Sequence, residues 1–518
     1  MINLSKTRYC TGLRCPKILW MDANKSEEKD LSGINQSRLD TGIRVGELAR
    51  AYFGPYTLVP YDTKELQNDE EYSLILKNMQ ELKNQHESPS KYSLTSEETA
   101  QYLEVSEERI RRIKEKAYRR LQLVQTERLL KEITQGGQRP SVICEASFAN
   151  EDGFCSVDIL RCFNDYAEII EVKSSVSLKD EHLDDMAYQC YILGACDLNI
   201  KKVSLMHINS DYERSGKAPL AGDPDIQKFF TLVDCTKEVK EKQKEISANI
   251  KRIKEIAGDE TEPAIHVGKQ CDNPYPCVYK KYCFRHITKT SPIDIDTSPT
   301  VDKAAINTFL ETLSYPLYFL DFETFQQAIP SFDSQHPYQQ IPSQYSLHIQ
   351  TEEGAEPLHR EFLAEAGSDP RRAVAERLCA DIPKDVCVLA YWMPFEKGII
   401  EGLAALFPDL APHLMAIHDN IKDLIVPFRK LAWRSPAQEG SNSIKAVLPA
   451  MFPDDSELDY HSLELIHNGG EAMNAFADLP NKSPEEQKCI RAALLSYCRL
   501  DTLAMVKILE KLYEAVKS

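Results

Sequence analysis

Two short apolar stretches, far apart in the chain, each carry ionic residues two positions apart. One is AEIIEVK at 167–173, with Glu171 and Lys173, and the other is LYFLDFETF at 317–325, with Asp321 and Glu323. Residues i and i+2 of an extended strand point to the same face, so each stretch sets a pair of ionic groups side by side on a hydrophobic strand. Acids on such a strand are costly to bury unless a cation compensates them. Helical patterns surround both stretches, so the chain reads as an α/β multidomain protein. Its 518 residues leave room for this, since a prior of roughly 150 residues per domain allows three to four.

Hydrophobic residues make up 42 % of the chain and charged residues 27 %, an ordinary balance for a soluble protein. There is no run of about 18 apolar residues, and the first twenty residues hold no apolar stretch of signal-peptide type. The expectation is a cytoplasmic protein with no membrane partner, whose 15 cysteines are reduced thiols and make a metal or cluster site worth seeking. Lys plus Arg number 62 and Asp plus Glu 80, a net charge of −18. A chain this acidic is no passive nucleic-acid binder, so such contact must come from local basic patches or metal-screened carboxylates.

Composition separates four segments. Residues 1–65, resumed at 124–285, read as one α/β module with cysteines at both ends; 66–123 form a polar, helix-patterned insertion. Residues 286–305, rich in Pro, Ser, Thr and Asp, read as a linker, and 306–518 as a second α/β module.

In the first module, residues 143–175 read as strand, turn, strand, loop, strand, with Asp158 closing the middle strand and Glu171 and Lys173 on the next. Two carboxylates and a lysine suit phosphodiester hydrolysis: the acids hold a hard divalent cation, and the lysine positions water or phosphate. A solvated acidic face with an incidental salt bridge is the plainer alternative. The order Asp158, Glu171-Val-Lys173, HLDDMAYQCYIL resembles the PD-(D/E)xK core of RecB-family nucleases, a restriction-endonuclease-like fold. The resemblance implies catalytic roles for Asp158, Glu171, Lys173 and Gln189, and adds Glu145 to Asp158 and Glu171 as metal-binding acids. One departure stands out: where the family has a histidine in an early helix, GIRVGELAR holds Gly46.

Cys271, Cys277 and Cys283 recur at six-residue intervals in CDNPYPCVYKKYCF, and Cys15 lies far upstream in RCPKILW, near Cys10. Four thiolates, three local and one remote, suit an iron–sulfur cluster that ties the ends of a domain together. The set resembles that of the iron–sulfur RecB-family nucleases of the AddB and CRISPR-associated types. That implies a [4Fe–4S] cluster on Cys15, Cys271, Cys277 and Cys283, with Cys10 in reserve for Cys15 and zinc as the competing occupant. Cys190 and Cys196 read as core residues.

Residues 94–121 read as two short helices packed across a tight corner, the second carrying Arg109, Arg111, Arg112 and Lys116. The segment resembles region 4 of bacterial sigma factors, a helix-turn-helix whose second helix enters the major groove of DNA. A charged hairpin serving as a spacer is the other reading.

In the second module, Tyr497 and Asp501 are four apart in SYCRLD and share a helix face. The order Asp321-x-Glu323 … Tyr497-x-x-x-Asp501 resembles the tyrosine subclass of the DEDD 3′–5′ exonucleases, on an RNase H-like fold. This implies metal binding by Asp321, Glu323, Asp501 and a middle acid, with Tyr497 orienting the attacking water. The matching middle position, in LAYWMPFEKGII, holds Glu396 where the family has Asp; Asp423 is a second candidate or a structural acid. Residues 443–448, SIKAVL, fit the helix before the last motif.

Together the resemblances imply a metal-dependent nuclease using Mg²⁺ or Mn²⁺ on single- or double-stranded DNA, as an exonuclease in repair or defence against foreign DNA. The alternatives are an RNA-processing 3′–5′ exonuclease and a DNA-binding regulatory protein whose nuclease sites have decayed, to which Gly46 and Glu396 point.

Overall fold

The computed structural model describes residues 4–30, 36–59, 107–134, 141–216, 225–285 and 299–517. The chain divides into two compact units, Met1–Thr288 and Lys289–Ser518. Each is α/β with a mixed sheet.

In unit 1, β2 (Thr57–Leu58), β3 (Ser141–Ala149), β4 (Gly153–Cys162), β5 (Ala167–Lys173), β6 (Ile200–Ile208) and β7 (Phe230–Asp234) lie side by side in that order, and β1 (Leu4–Ser5) pairs with β4. Strands β3, β4 and β5 form an antiparallel meander, and β6 returns parallel to β5 after the helix Asp180–Gly194. Asp158 stands inside β4 rather than at its end, because buried residues continue beyond it to Cys162. Ile159 opposite Ile170 fixes the register and sets Asp158 beside Glu171. Leu160, Ile169 and Leu205 pack with Met186 and Ile192 of that helix and with Val239, Ile246 and Ile253 of the helix Thr236–Ala257. The N-terminus is pinned where β1 crosses Gly153. A Cβ there would lie 1.9 Å from the Tyr188 hydroxyl and 2.3 Å from the Leu4 carbonyl, so glycine alone admits this approach. Tyr188 Oη donates to the Leu4 carbonyl at 2.6 Å, and the helix Lys6–Arg14 starts directly after.

The first helix of the expected hairpin, with residues 94–106, lies outside the described residues. Its second helix is not short. One helix runs from Glu107 to Thr134, 28 residues, carrying Arg109, Arg111, Arg112 and Lys116 in its N-terminal third, so the expected boundary at 123 falls mid-helix. No Gly or Pro interrupts it. Its C-terminal half is already docked on β3: the Ser147 N–H donates to Thr126 Oγ1 at 2.9 Å and Ser147 Oγ to Gln122 Oε1 at 3.4 Å.

In unit 2 the strand order is β11 (Leu358–Leu363), β10 (Ile341–Gln350), β9 (Leu317–Phe325), β12 (Cys387–Ala390), β13 (Ile421–Asp423). Strand β10 is antiparallel to both neighbours, while β12 and β13 run parallel to β9. The period-2 pattern of β9 splits between two cores. Leu317, Phe319 and Phe325 pack under the helices Lys303–Leu310, Ile444–Met451, Gly469–Asp478 and Pro484–Lys517. Leu320 and Phe322 face the helices Arg371–Asp381, Met393–Leu406 and Ala411–Asp419. The last residues of the expected linker are structured instead: β8 (Thr300–Val301) pairs with β14 (Trp433–Arg434), and Asp302 caps the next helix by accepting from the Ala305 N–H at 3.0 Å. Residues 286–298 lie outside the described residues. Among the described residues, no helix is long and apolar enough to cross a membrane.

Candidate functional site

Strand β9 presents Asp321 and Glu323 on one face, and the helix Pro484–Lys517 brings Asp501 against them. One carboxylate oxygen from each lies within 4.8 Å of the other two; no other His, Cys, Asp or Glu trio among the described residues converges as closely. Glu396 sits in the first turn of the helix Met393–Leu406, which starts just after β12. It is 1 % exposed and its Oε2 has no hydrogen-bond partner. The four acids gather toward the carboxyl ends of parallel strands, where α/β sheets place their ligands.

Their electrostatics follow from crowding. Burial, then Asp501, Glu323 and Glu396, push Asp321 well above the carboxylate range. Glu323 is raised in the same way, by burial and then Asp501, against the pull of Lys445. Burial, with Asp423 and Asp501, lifts Glu396 to about 8, and burial lifts Asp501 to about 6 even though the Tyr460 hydroxyl donates to it. Acids arranged so that they cannot all ionise alone suit hard divalent cations with oxygen ligands.

Tyr497 lies one turn before Asp501 and is 3 % exposed. Its hydroxyl accepts from Lys445 Nζ at 2.9 Å, and Lys445 also donates to the His467 carbonyl at 3.0 Å. A phenol oxygen engaged by an ammonium keeps its own proton to donate. Tyr460 Oη donates to Asp501 Oδ1 at 2.5 Å. Asp423, the rival middle acid, accepts the backbone N–H groups of Trp392 at 3.0 Å and Ile425 at 3.2 Å, both on Oδ1. Sequence reasoning missed Lys445 and Tyr460. Lys445 lay within SIKAVL, which forms the helix Ile444–Met451 as expected; Tyr460 lies in a stretch with no periodic pattern.

Unit 1 gathers a different set. Glu171, 1 % exposed, accepts from Lys173 Nζ at 2.6 Å, from Gln189 Nε2 at 2.6 Å and from Lys6 Nζ at 3.0 Å. Asp185 takes a second bond from Lys173 at 2.7 Å and pairs with Lys6 at 3.6 Å. Asp158 accepts the Val172 N–H at 2.7 Å. Burial would raise Glu171, but Lys173 and Lys6 outweigh it and hold the carboxyl far below its usual range; Asp158, raised by burial and by Glu171, reaches about 7. Glu145 has a left-handed φ of 61° within β3 and pairs with Arg50 at 3.0 Å, from the helix Gln36–Arg50 that also carries Gly46. A side chain at Gly46 would meet nothing within 4 Å of its Cβ. Lys6 and Asp185 were missed. Asp185 lies four before Gln189 on one helix face, a readable signal, whereas nothing local marks Lys6.

Cys15, Cys271, Cys277 and Cys283 line one recess, together with Ile18, Met21 and His266. Arg14, next to Cys15, donates to the carbonyls of Gln270 at 2.7 Å and Tyr275 at 2.5 Å, tying the N-terminal helices to the cysteine loop. Burial pushes the Cys15, Cys277 and Cys283 thiols up. Cys10 packs instead against the core under the sheet; Cys190 is buried there and Cys196 flanks it.

A family model described as a domain of unknown function, DUF2779, matches residues 318–443, a span that holds Asp321, Glu323 and Glu396 but ends before Lys445, Tyr497 and Asp501. No curated protein and no solved structure matches the chain.

Proposed function

We propose that the protein is a metal-dependent nuclease that hydrolyses DNA phosphodiester bonds, with its principal site on unit 2. The observation that carries this reading is the convergence of Asp321, Glu323 and Asp501 beside the buried, unpartnered oxygen of Glu396. The strand order of unit 2, with β12 and β13 parallel to β9, supports an RNase H-like fold for that unit. These four acids would hold Mg²⁺ or Mn²⁺, which supplies activated water and charge stabilisation at the phosphate. Tyr497, its oxygen engaged by Lys445 and its hydroxyl beside Asp501, would orient that water. Lys445→Met should therefore slow cleavage about as much as Tyr497→Phe, and the double variant should be little slower than either. Additive losses in a double-mutant cycle would show that Lys445 acts by another route.

In unit 1 the sheet order and the set Asp158, Glu171, Lys173 and Gln189 support a second, PD-(D/E)xK-like centre. The ammonium of Lys6 against Glu171 favours a second reading of this unit, as a site that binds DNA without cutting it. The deciding experiment is cleavage of matched, end-labelled DNA and RNA strands, with Mg²⁺ and Mn²⁺, by wild type, Lys173→Ala and Asp321→Ala. Loss of activity in Asp321→Ala supports the assignment. RNA cleavage alone would make the protein an RNA-processing exonuclease, and a folded wild type inert on both polymers would end the nuclease reading.

The four cysteines fit an iron–sulfur cluster. They line one recess, three from the single stretch 271–283 and one from the N-terminal helices, and four soft thiolates suit such a cluster, with zinc as the competing occupant. Anaerobically purified protein should be brown, and Cys271→Ser, Cys277→Ser or Cys283→Ser should bleach it and lower the melting temperature, because binding and folding are coupled. Colourless protein with stoichiometric zinc would overturn the cluster.

A further inference from the structure

Of the three tryptophans in the chain, Trp20 and Trp433 are buried, while Trp392 is 53 % exposed. Its backbone is left-handed, with φ 78°, a conformation bulky L residues rarely adopt. The strain is held in place: the Asp423 carboxylate accepts the Trp392 N–H at 3.0 Å, and the Met393–Leu406 helix, with Pro394 in its first turn, begins at the next residue. Arg429 stands over the indole ring, 5.0 Å from its centroid. Glu396 is one helical turn further along. An exposed aromatic ring, fixed by a buried acid in a strained backbone beside an ionic site, marks function more than packing.

We propose that Trp392 and Arg429 form a stacking platform for a nucleobase at the end of a single-stranded DNA entering the unit 2 acidic site. The proposal rests on the nuclease reading above and deepens it. The indole presents a flat face that every base can stack on, and the guanidinium supplies charge to the adjoining phosphate, so the platform takes an end regardless of sequence. It also gives Asp423 a role, because that acid holds the left-handed backbone that carries the ring.

The test is binding of a fluorescein-labelled single-stranded DNA 12-mer to the full chain, with Ca²⁺ in place of Mg²⁺. Trp392→Gly suits the left-handed backbone and removes only the ring, so the fold should hold. It should weaken binding about tenfold, while Trp392→Phe should keep most of the affinity. DNA with abasic 3′-terminal nucleotides should lose the same factor on wild type and nothing further on Trp392→Gly. Bases stacked on the indole should also quench its emission, an effect absent in Trp392→Gly. An RNA 12-mer showing the same losses would place recognition in the base and not the sugar. If wild type and Trp392→Gly bind DNA equally, or abasic ends weaken both alike, the platform is overturned while the acidic site stands. If wild type binds neither polymer, the nuclease reading falls together with the platform.

Discussion

Asp321→Asn should abolish hydrolysis by unit 2 and at the same time stabilise the metal-free protein. The two effects have one cause. Without metal, Asp321 shares a buried space with Asp501, Glu323 and Glu396; burial with like-charge repulsion lifts Asp321, Glu323 and Glu396, and burial lifts Asp501. Removing one charge relieves the others, a gain on the order of 1–3 kcal/mol. On the nuclease reading proposed above, the same carboxylate would hold metal, and losing several kcal/mol of transition-state stabilisation would cost about a thousandfold in rate or more. The sign with pH follows. Each acid binds its proton more tightly in the folded than in the unfolded chain, so its contribution is full below about pH 4. That contribution is lost as pH rises through about 6 for Asp501 and about 8 for Glu396. In EDTA the melting temperature of Asp321→Asn should therefore exceed that of wild type by a margin that grows from pH 5 to pH 8. Mn²⁺ should reverse the order, because it binds the folded wild type; at a hundred times its dissociation constant it adds about 2.7 kcal/mol. A variant less stable than wild type in EDTA at pH 8 would show that Asp321 is a structural acid.

The two ionic pairs were legible because their signal is local. Alternation in AEIIEVK and LYFLDFETF fixes both the strand and the face on which the ionic residues stand, and both form as read. Tyr497 and Asp501 were legible through helical spacing. What was hidden depends on distant contact. Lys6 reaches Glu171 across 165 positions, and only because β1 slots against Gly153, a close approach that the sequence around residue 6 does not announce. Tyr460 meets Asp501 from a stretch of short turns with no period to read. The insertion boundary failed for the opposite reason: polarity changes near residue 123, but helix propensity does not, and the helix follows propensity. The left-handed Trp392 was also unannounced, since neither Gly nor Asn marks the position.

Glu171→Gln is expected to destabilise unit 1 severely, and for a reason separate from any chemistry. Glu171 is 1 % exposed, and its two oxygens satisfy Lys6, Lys173 and Gln189. A neutral amide leaves two ammonium groups paired with Asp185, with Asp158 as the other acid that acts on them. Removing one partner from a buried ion network costs about 3–5 kcal/mol, because a charge is stranded away from water. The lysine side chains keep 20 % and 28 % of their surface exposed, so the lower end of that range applies. Lys6→Met in the Glu171→Gln background should recover part of the loss, since it removes the stranded cation; Lys6→Met alone should cost less than Glu171→Gln, because Lys173 and Gln189 still satisfy the carboxylate. The lowered pKa of Glu171 gives the pH sign: its stabilisation is present above the unfolded value near 4.5 and fades as pH falls below it, so the gap between wild type and variant should narrow in acid. Urea unfolding at pH 7 and pH 4 measures both. Glu171→Gln as stable as wild type at pH 7 would mean that the two lysines find water instead, and that the network around Glu171 does not hold unit 1 together.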